Sequence, residues 1–147
     1  MAAKYETKKT LQNQSHLKVP FFDVDSMNIV WHGHYAKYFE LARCDLLEQI
    51  GYSYEAMALS GFQFPIVDLH IKYIQPLVFN QEIIIHSSLV EWEYRLKVSY
   101  VIYDAKSEKK ICSGHTIQAA VDIDTKKLRL QCPKVLQDLV YERLANA

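Results

Sequence analysis

The residues best suited to chemistry are gathered near the start of the chain, in the run FFDVDSMNIVWHGHY from Phe21 to Tyr35. Two carboxylates, Asp23 and Asp25, stand two residues apart among turn formers, just ahead of a mainly apolar helical stripe. A helix start presents N–H groups with no acceptor in their own helix and carries a partial positive charge. Such N–H groups can hold the oxyanion that develops on an attacked carbonyl. A carboxylate nearby can activate water or attack the carbonyl itself. These are the minimum parts for acyl transfer. An Asp ahead of a helix is also a common cap or turn former, and the residues alone leave both readings open.

The elements that must position these groups follow from periodicity. Residues 1–15 read as a flexible or loosely docked arm, and His16 to Phe22 as a short strand entering the Asp23–Asn28 loop. Tyr35, Tyr38, Phe39, Ala42, Leu46 and Ile50 fall on one helical stripe, with Lys37, Glu40, Arg43 and Glu48 on the other side. The helix starts near His32-Gly33-His34 and Gly51 stops it. A shorter helical piece covers Tyr54 to Leu59, ended by Gly61.

The period then changes to two, predicting four consecutive antiparallel strands: Val67 to Tyr73, Gln81 to Glu91, Tyr94 to Ile102 and Ile111 to Ile123. Pro133 opens a C-terminal helix. One long helix followed by a meander predicts an α+β layer arrangement with the sheet curled around the helix. The absence of βαβ alternation, GxGxxG and P-loop argues against a nucleotide-binding doubly wound fold.

Bulk properties narrow the class. A chain of 147 residues with half of them hydrophobic fits one domain, here residues 16–147, with a sizeable core. Lysine plus arginine equal aspartate plus glutamate at 17 each, so neither a nucleic-acid footprint nor a polybasic membrane patch is expected. Cys44, Cys112 and Cys132 are odd in number and far apart, and neither a disulfide framework nor a metal site is expected. His70, His86 and His115 lack metal-ligand spacing and read as structural, and Cys44 has no base nearby in sequence. A polar, lysine-rich start without an apolar segment, and no run long enough for a membrane helix, lead us to expect a cytoplasmic protein without a membrane span.

The run DVDSMNIVWHGHYAKYFELAR resembles the signature of the 4-hydroxybenzoyl-CoA thioesterase family of hotdog proteins. That signature is roughly D-x-D-x-x-G, a hydrophobic residue, Val and a later Tyr, then an amphipathic helix with an Ala-Arg pair. Asp23, Asp25, Val30, Tyr35, Glu40, Ala42 and Arg43 stand at matching positions. The match continues through the strand ending at Tyr73 and Pro76 to Ala119-Ala120-Val121-Asp122, covering about residues 17–136. Asn28 stands where the family has Gly. Asn is the non-glycine residue best able to take positive φ, so the turn can survive.

The resemblance implies a hotdog fold, a long central helix wrapped by a curved antiparallel sheet of about five strands. It implies a thioesterase that cleaves an acyl thioester, on CoA or an acyl carrier protein, without metal or redox cofactor. Asp25 becomes the catalytic carboxylate, as nucleophile or general base. The thioester oxygen is held by the His32 backbone N–H with help from Gly33, whose missing side chain lets substrate approach. Asn28, Val30, Trp31 and Tyr35 are expected to contact substrate. Arg95, after the Glu91-Trp92 pair, is expected to meet the nucleotide, although Glu93 and Tyr94 stand where positive charge would help. Asp23 orients the loop, His32 contributes its side chain or is structural, and His34 is a solvated first-turn residue. Tyr38, Phe39, Leu46 and Phe62 read first as core and second as an acyl tunnel. The resemblance also implies a homo-oligomer, a dimer or pair of dimers, with active sites at the dimer interface. Two competing classes are a hotdog dehydratase or hydratase, whose His-containing Pro-rich loop is not visible here, and a thioester-binding module without turnover.

Overall fold

A computed structural model of the protein describes residues 10–146. The chain runs β1 (Gln12–Lys18), α1 (Tyr35–Ile50), α2 (Tyr54–Leu59), β2 (Phe62–Gln63), β3 (Ile66–Tyr73), β4 (Glu82–Glu91), β5 (Leu96–Asp104), β6 (Lys110–Gln118), β7 (Val121–Asp122) and α3 (Lys134–Ala145). Two 3-10 turns, Phe21–Asp23 and His32–His34, frame the segment between β1 and α1.

The main sheet has the order β1-β4-β5-β6-β3, antiparallel throughout. Strands β4, β5 and β6 form the expected meander. The expected β3–β4 hairpin does not form, because β3 pairs with β6 in the register His70 to His115, and the chain crosses back through residues 74–81 to reach β4. The first strand also lies earlier than predicted. It occupies Gln12–Lys18, inside the segment read as an arm, and pairs along β4, while Phe21–Asp23 turns instead of extending. The remainder of that arm, residues 1–9, lies outside the described residues. The long final strand is broken after Gln118, and Val121–Asp122 pairs instead with Phe62–Gln63.

Alternation explains the core. Ile83, Ile85, Leu89, Val98, Tyr100 and Ile102 point inward from β4 and β5 and are buried, as their period of two requires. The α1 stripe Tyr35, Tyr38, Phe39, Ala42, Leu46 and Ile50 is buried against them as the helical spacing predicts. Phe39 stacks on Tyr100 with ring centroids 4.3 Å apart and planes 6° from parallel. This contact needs Gly114 on β6. A Cβ there would lie 2.2 Å from the His70 carbonyl oxygen and 2.7 Å from the Phe39 ring.

Arg43 departs from its predicted outward face and is only 4% exposed. Its Nε donates to the Tyr54 hydroxyl at 2.9 Å, and Tyr100, itself 2.6 Å from Thr116 Oγ1, receives its Nη1. A buried cation survives here because phenol oxygens meet it. Gly51 ends α1 at φ 90°, its N–H returning to Leu47 and Glu48 carbonyls. Leu136 and Val140 of α3 are buried in the same core.

Candidate active site

The loop between β1 and α1 is a small hairpin built on the turn residues that the sequence singled out. Val24 and Val30 bridge antiparallel, the Asp25 N–H donates to the Ile29 carbonyl at 2.9 Å, and the Asn28 N–H donates to the Asp25 carbonyl at 3.0 Å. Asn28 has φ 63°, the left-handed conformation that such a three-residue hairpin loop needs. The hairpin is pinned to the crossover segment by the Val30 N–H to the Leu77 carbonyl at 2.8 Å and by an Ile29–Val78 bridge.

Asp25 sits at the tip of this hairpin and is half-buried. Its Oδ1 accepts the Met27 N–H at 2.8 Å, an Asx turn that fixes the carboxylate relative to its own backbone. No other hydrogen bond reaches that carboxylate among the described residues, so one oxygen is available to water or substrate. The helix start stands immediately downstream. The N–H groups of His32 and Gly33 precede any carbonyl to which their turn could bond them, and the first such bond is His34 N–H to Trp31 carbonyl at 2.9 Å. The Tyr73 hydroxyl at the end of β3 donates to the His32 carbonyl at 2.7 Å and so fixes this turn from the sheet.

Asp23 has the opposite environment and is 1% exposed. Lys37 Nζ lies 2.5 Å from Oδ1, the Tyr38 hydroxyl donates to Oδ2 at 2.7 Å, and His34 Nε2 stands 3.9 Å from Oδ1. Burial pushes its carboxyl pKa upward, but the Lys37 and Tyr38 hydrogen bonds and the Lys37 and His34 charges together outweigh that and leave it lowered. His34 therefore faces a buried acid and is not merely solvated.

The other expected site residues divide. Asn28, Trp31 and His32 are exposed, and the Asn28 N–H bonds the Asp25 carbonyl. Val30 and Tyr35 were expected to touch substrate, but both are buried and act on the loop from within. The Tyr35 hydroxyl accepts the Leu77 N–H at 3.3 Å, and burial pushes its pKa up to about 12. Gly33 is explained differently than expected. The place its Cβ would take is filled by the Trp31 indole, 2.1 Å away, so its smallness accommodates Trp31. Trp31 is 49% exposed and also lies against the His32 and His34 rings.

Arg95 is not brought to this site within one chain. The hairpin is tethered at Leu77 and Val78, before β4 begins at Glu82, whereas Arg95 follows the far end of that ten-residue strand. At ordinary strand rise β4 alone is about 30 Å long. Arg95 is exposed, and its Nε pairs with Glu91 at 2.9 Å. Lys37, Tyr38 and Tyr73 were missed as loop-fixing residues, since nothing in sequence spacing links positions 23 and 37 or 32 and 73.

Five strands around one long helix, with a carboxylate hairpin leading into that helix, define the hotdog class. The chain belongs to the Thioesterase-like superfamily, whose model matches residues 19–140. YneP of Bacillus subtilis (strain 168), a protein named for acyl-CoA thioesterase activity, is 27% identical over 100 residues, covering 67% of this chain and 72% of its own. A Thermus thermophilus protein, TT1821, superposes with TM-score 0.79 at 25% identity over 88% of this chain and 97% of its own. The DHNA-CoA thioesterase of Staphylococcus aureus superposes with the same TM-score at 22% identity over 92% of this chain and 89% of its own. Thioester hydrolysis is the activity that this membership and the likeness to YneP support.

Proposed function

We propose that the protein hydrolyses acyl-CoA thioesters through Asp25. The observation that carries this reading is a carboxylate with one unengaged oxygen on a rigid hairpin that leads directly into the free amides of His32 and Gly33. The thioester carbonyl oxygen receives those N–H groups and gains negative charge as its carbon is attacked. Asp25 either takes a proton from the attacking water or attacks first and is then released by water. By both routes the carbon–sulfur bond breaks, water supplies the acid's new oxygen, and the thiolate leaves with a proton as free CoA.

We read the working unit as a homo-oligomer built on β3. This edge strand carries exposed apolar side chains, including Val67 at 60% and Leu69 at 45%, and an unpaired backbone edge that favours strand addition. Antiparallel pairing of two β3 strands sets the Tyr73 end of one against the Ile66 end of the other. Tyr73 holds His32, while Ile66 shares a row with Gln118 and Leu96. Arg95 of a second copy then approaches the site from across the interface, where it suits the nucleotide part of CoA. No helix among the described residues is long and apolar enough to cross a membrane. Cys44, Cys112 and Cys132 are unpaired, which supports a reducing, cytoplasmic setting.

Thiol release from a panel of aromatic and aliphatic acyl-CoA and acyl-carrier thioesters tests the assignment. Asp25→Asn should retain the fold and lower the rate about 10²–10⁴-fold, the scale of a lost acid–base group. Full activity in that variant would remove Asp25 from the mechanism. A carboxylate at Asp25 that served only its own Asx turn would leave a second reading, a thioester-binding module without turnover. Binding of a non-hydrolysable thioester analogue, with no thiol released from any substrate, would establish it.

A further inference from the structure

Asp23 is the one buried acidic side chain among the described residues. Burying a carboxylate costs free energy unless charge and hydrogen bonds meet it, and here both oxygens are met from one place. Lys37 and Tyr38 stand in the first turn of α1, directly after the turn that carries His32 and Gly33. The backbone carbonyl of Asp23 accepts the Trp31 N–H at 3.1 Å, closing the mouth of the hairpin that presents Asp25. Asp23 therefore joins hairpin to helix through both its side chain and its main chain. The Asp25 carboxylate, by contrast, makes no hydrogen bond to the helix.

We propose that the Asp23–Lys37–Tyr38 contact is a clamp that sets the spacing between the Asp25 carboxylate and the His32 and Gly33 amides, with Asp23 and Lys37 as positioning residues for thioester cleavage. The proposal rests on the assignment of Asp25 made above. Lys37 is 43% exposed, and a partly exposed ion pair contributes little to stability. What the ammonium adds is direction, because it draws Oδ1 toward the helix start while Tyr38 holds Oδ2. The gap that this clamp controls lies between two catalytic groups that share no direct bond. A misplacement of about 1 Å there can cost up to 10²-fold in rate.

Steady-state thiol release from the best acyl-CoA substrate, with melting followed by circular dichroism, tests the clamp in the full chain. Lys37→Gln should remain folded at the assay temperature and lower kcat about 5–30-fold, with KM within about twofold. Lys37→Arg, which restores a cation, should recover most of that loss. Asp23→Asn combined with Lys37→Gln should lower kcat by less than the product of the two single losses, since both act through one contact network. If Lys37→Gln keeps wild-type kcat, or loses it without recovery in Lys37→Arg, while Asp25→Asn is inactive, the clamp is wrong and the Asp25 reading survives. Full activity in Asp25→Asn overturns that reading and the clamp with it.

Discussion

Asp23 and Asp25 are two residues apart and have been given opposite tasks by their surroundings. Asp23 is buried and saturated with partners, while Asp25 keeps an oxygen unengaged at a hairpin tip. Because the native Asp23 pKa lies below its ordinary value of 3.8, the unfolded chain binds more protons near that pH and stability rises with pH there. The contribution is fully present above about 4 and is lost as pH falls through the lowered native value. Urea unfolding should find Asp23→Asn less stable than wild type by about 1–3 kcal/mol at pH 7, with the gap closing below pH 4. Residue chemistry was partly legible in sequence. The positive φ at Asn28 follows from its side chain and its place in a turn. The burial of Arg43 and His34's approach to Asp23 were not legible, since both depend on partners 11 or more residues away.

At the scale of elements, the Phe39 ring of α1 settles onto the sheet where β6 offers no side chain. Gly114 provides that place beneath Phe39, with the His70 main chain on its other side. Gly114→Ala should lower stability by about 1–3 kcal/mol, because one of its obstacles is backbone and cannot rotate away. Thermal melting checks this. The helix itself was readable from its stripe and from Gly51. Strand pairing was less so. Periodicity assigns residues to a face but does not name the neighbouring strand, so the β3–β6 pairing escaped a reading that joined strands in chain order.

At the scale of the whole molecule, β3 leaves an apolar edge that a single chain does not cover. With the β3 interface proposed above, Leu69→Lys should sediment as a smaller species than wild type and lower thiol release on the order of tenfold. A variant that stays oligomeric and active would place the interface elsewhere. The exposed Arg95 is consistent with such an assembly, since its own chain puts it at the other end of the sheet from Asp25.

The sequence by itself determined which residues form the long helix, where the carboxylate turn lies and which family's signature the turn carries. These are properties of near neighbours, set by backbone preference and the 3.6- and 2-residue periods. Tertiary structure alone decided that β3 joins β6, that Lys37 and Tyr38 seize Asp23, and that Trp31 fills the space over Gly33. Each of those contacts depends on how side chains pack in three dimensions, and no local pattern encodes it.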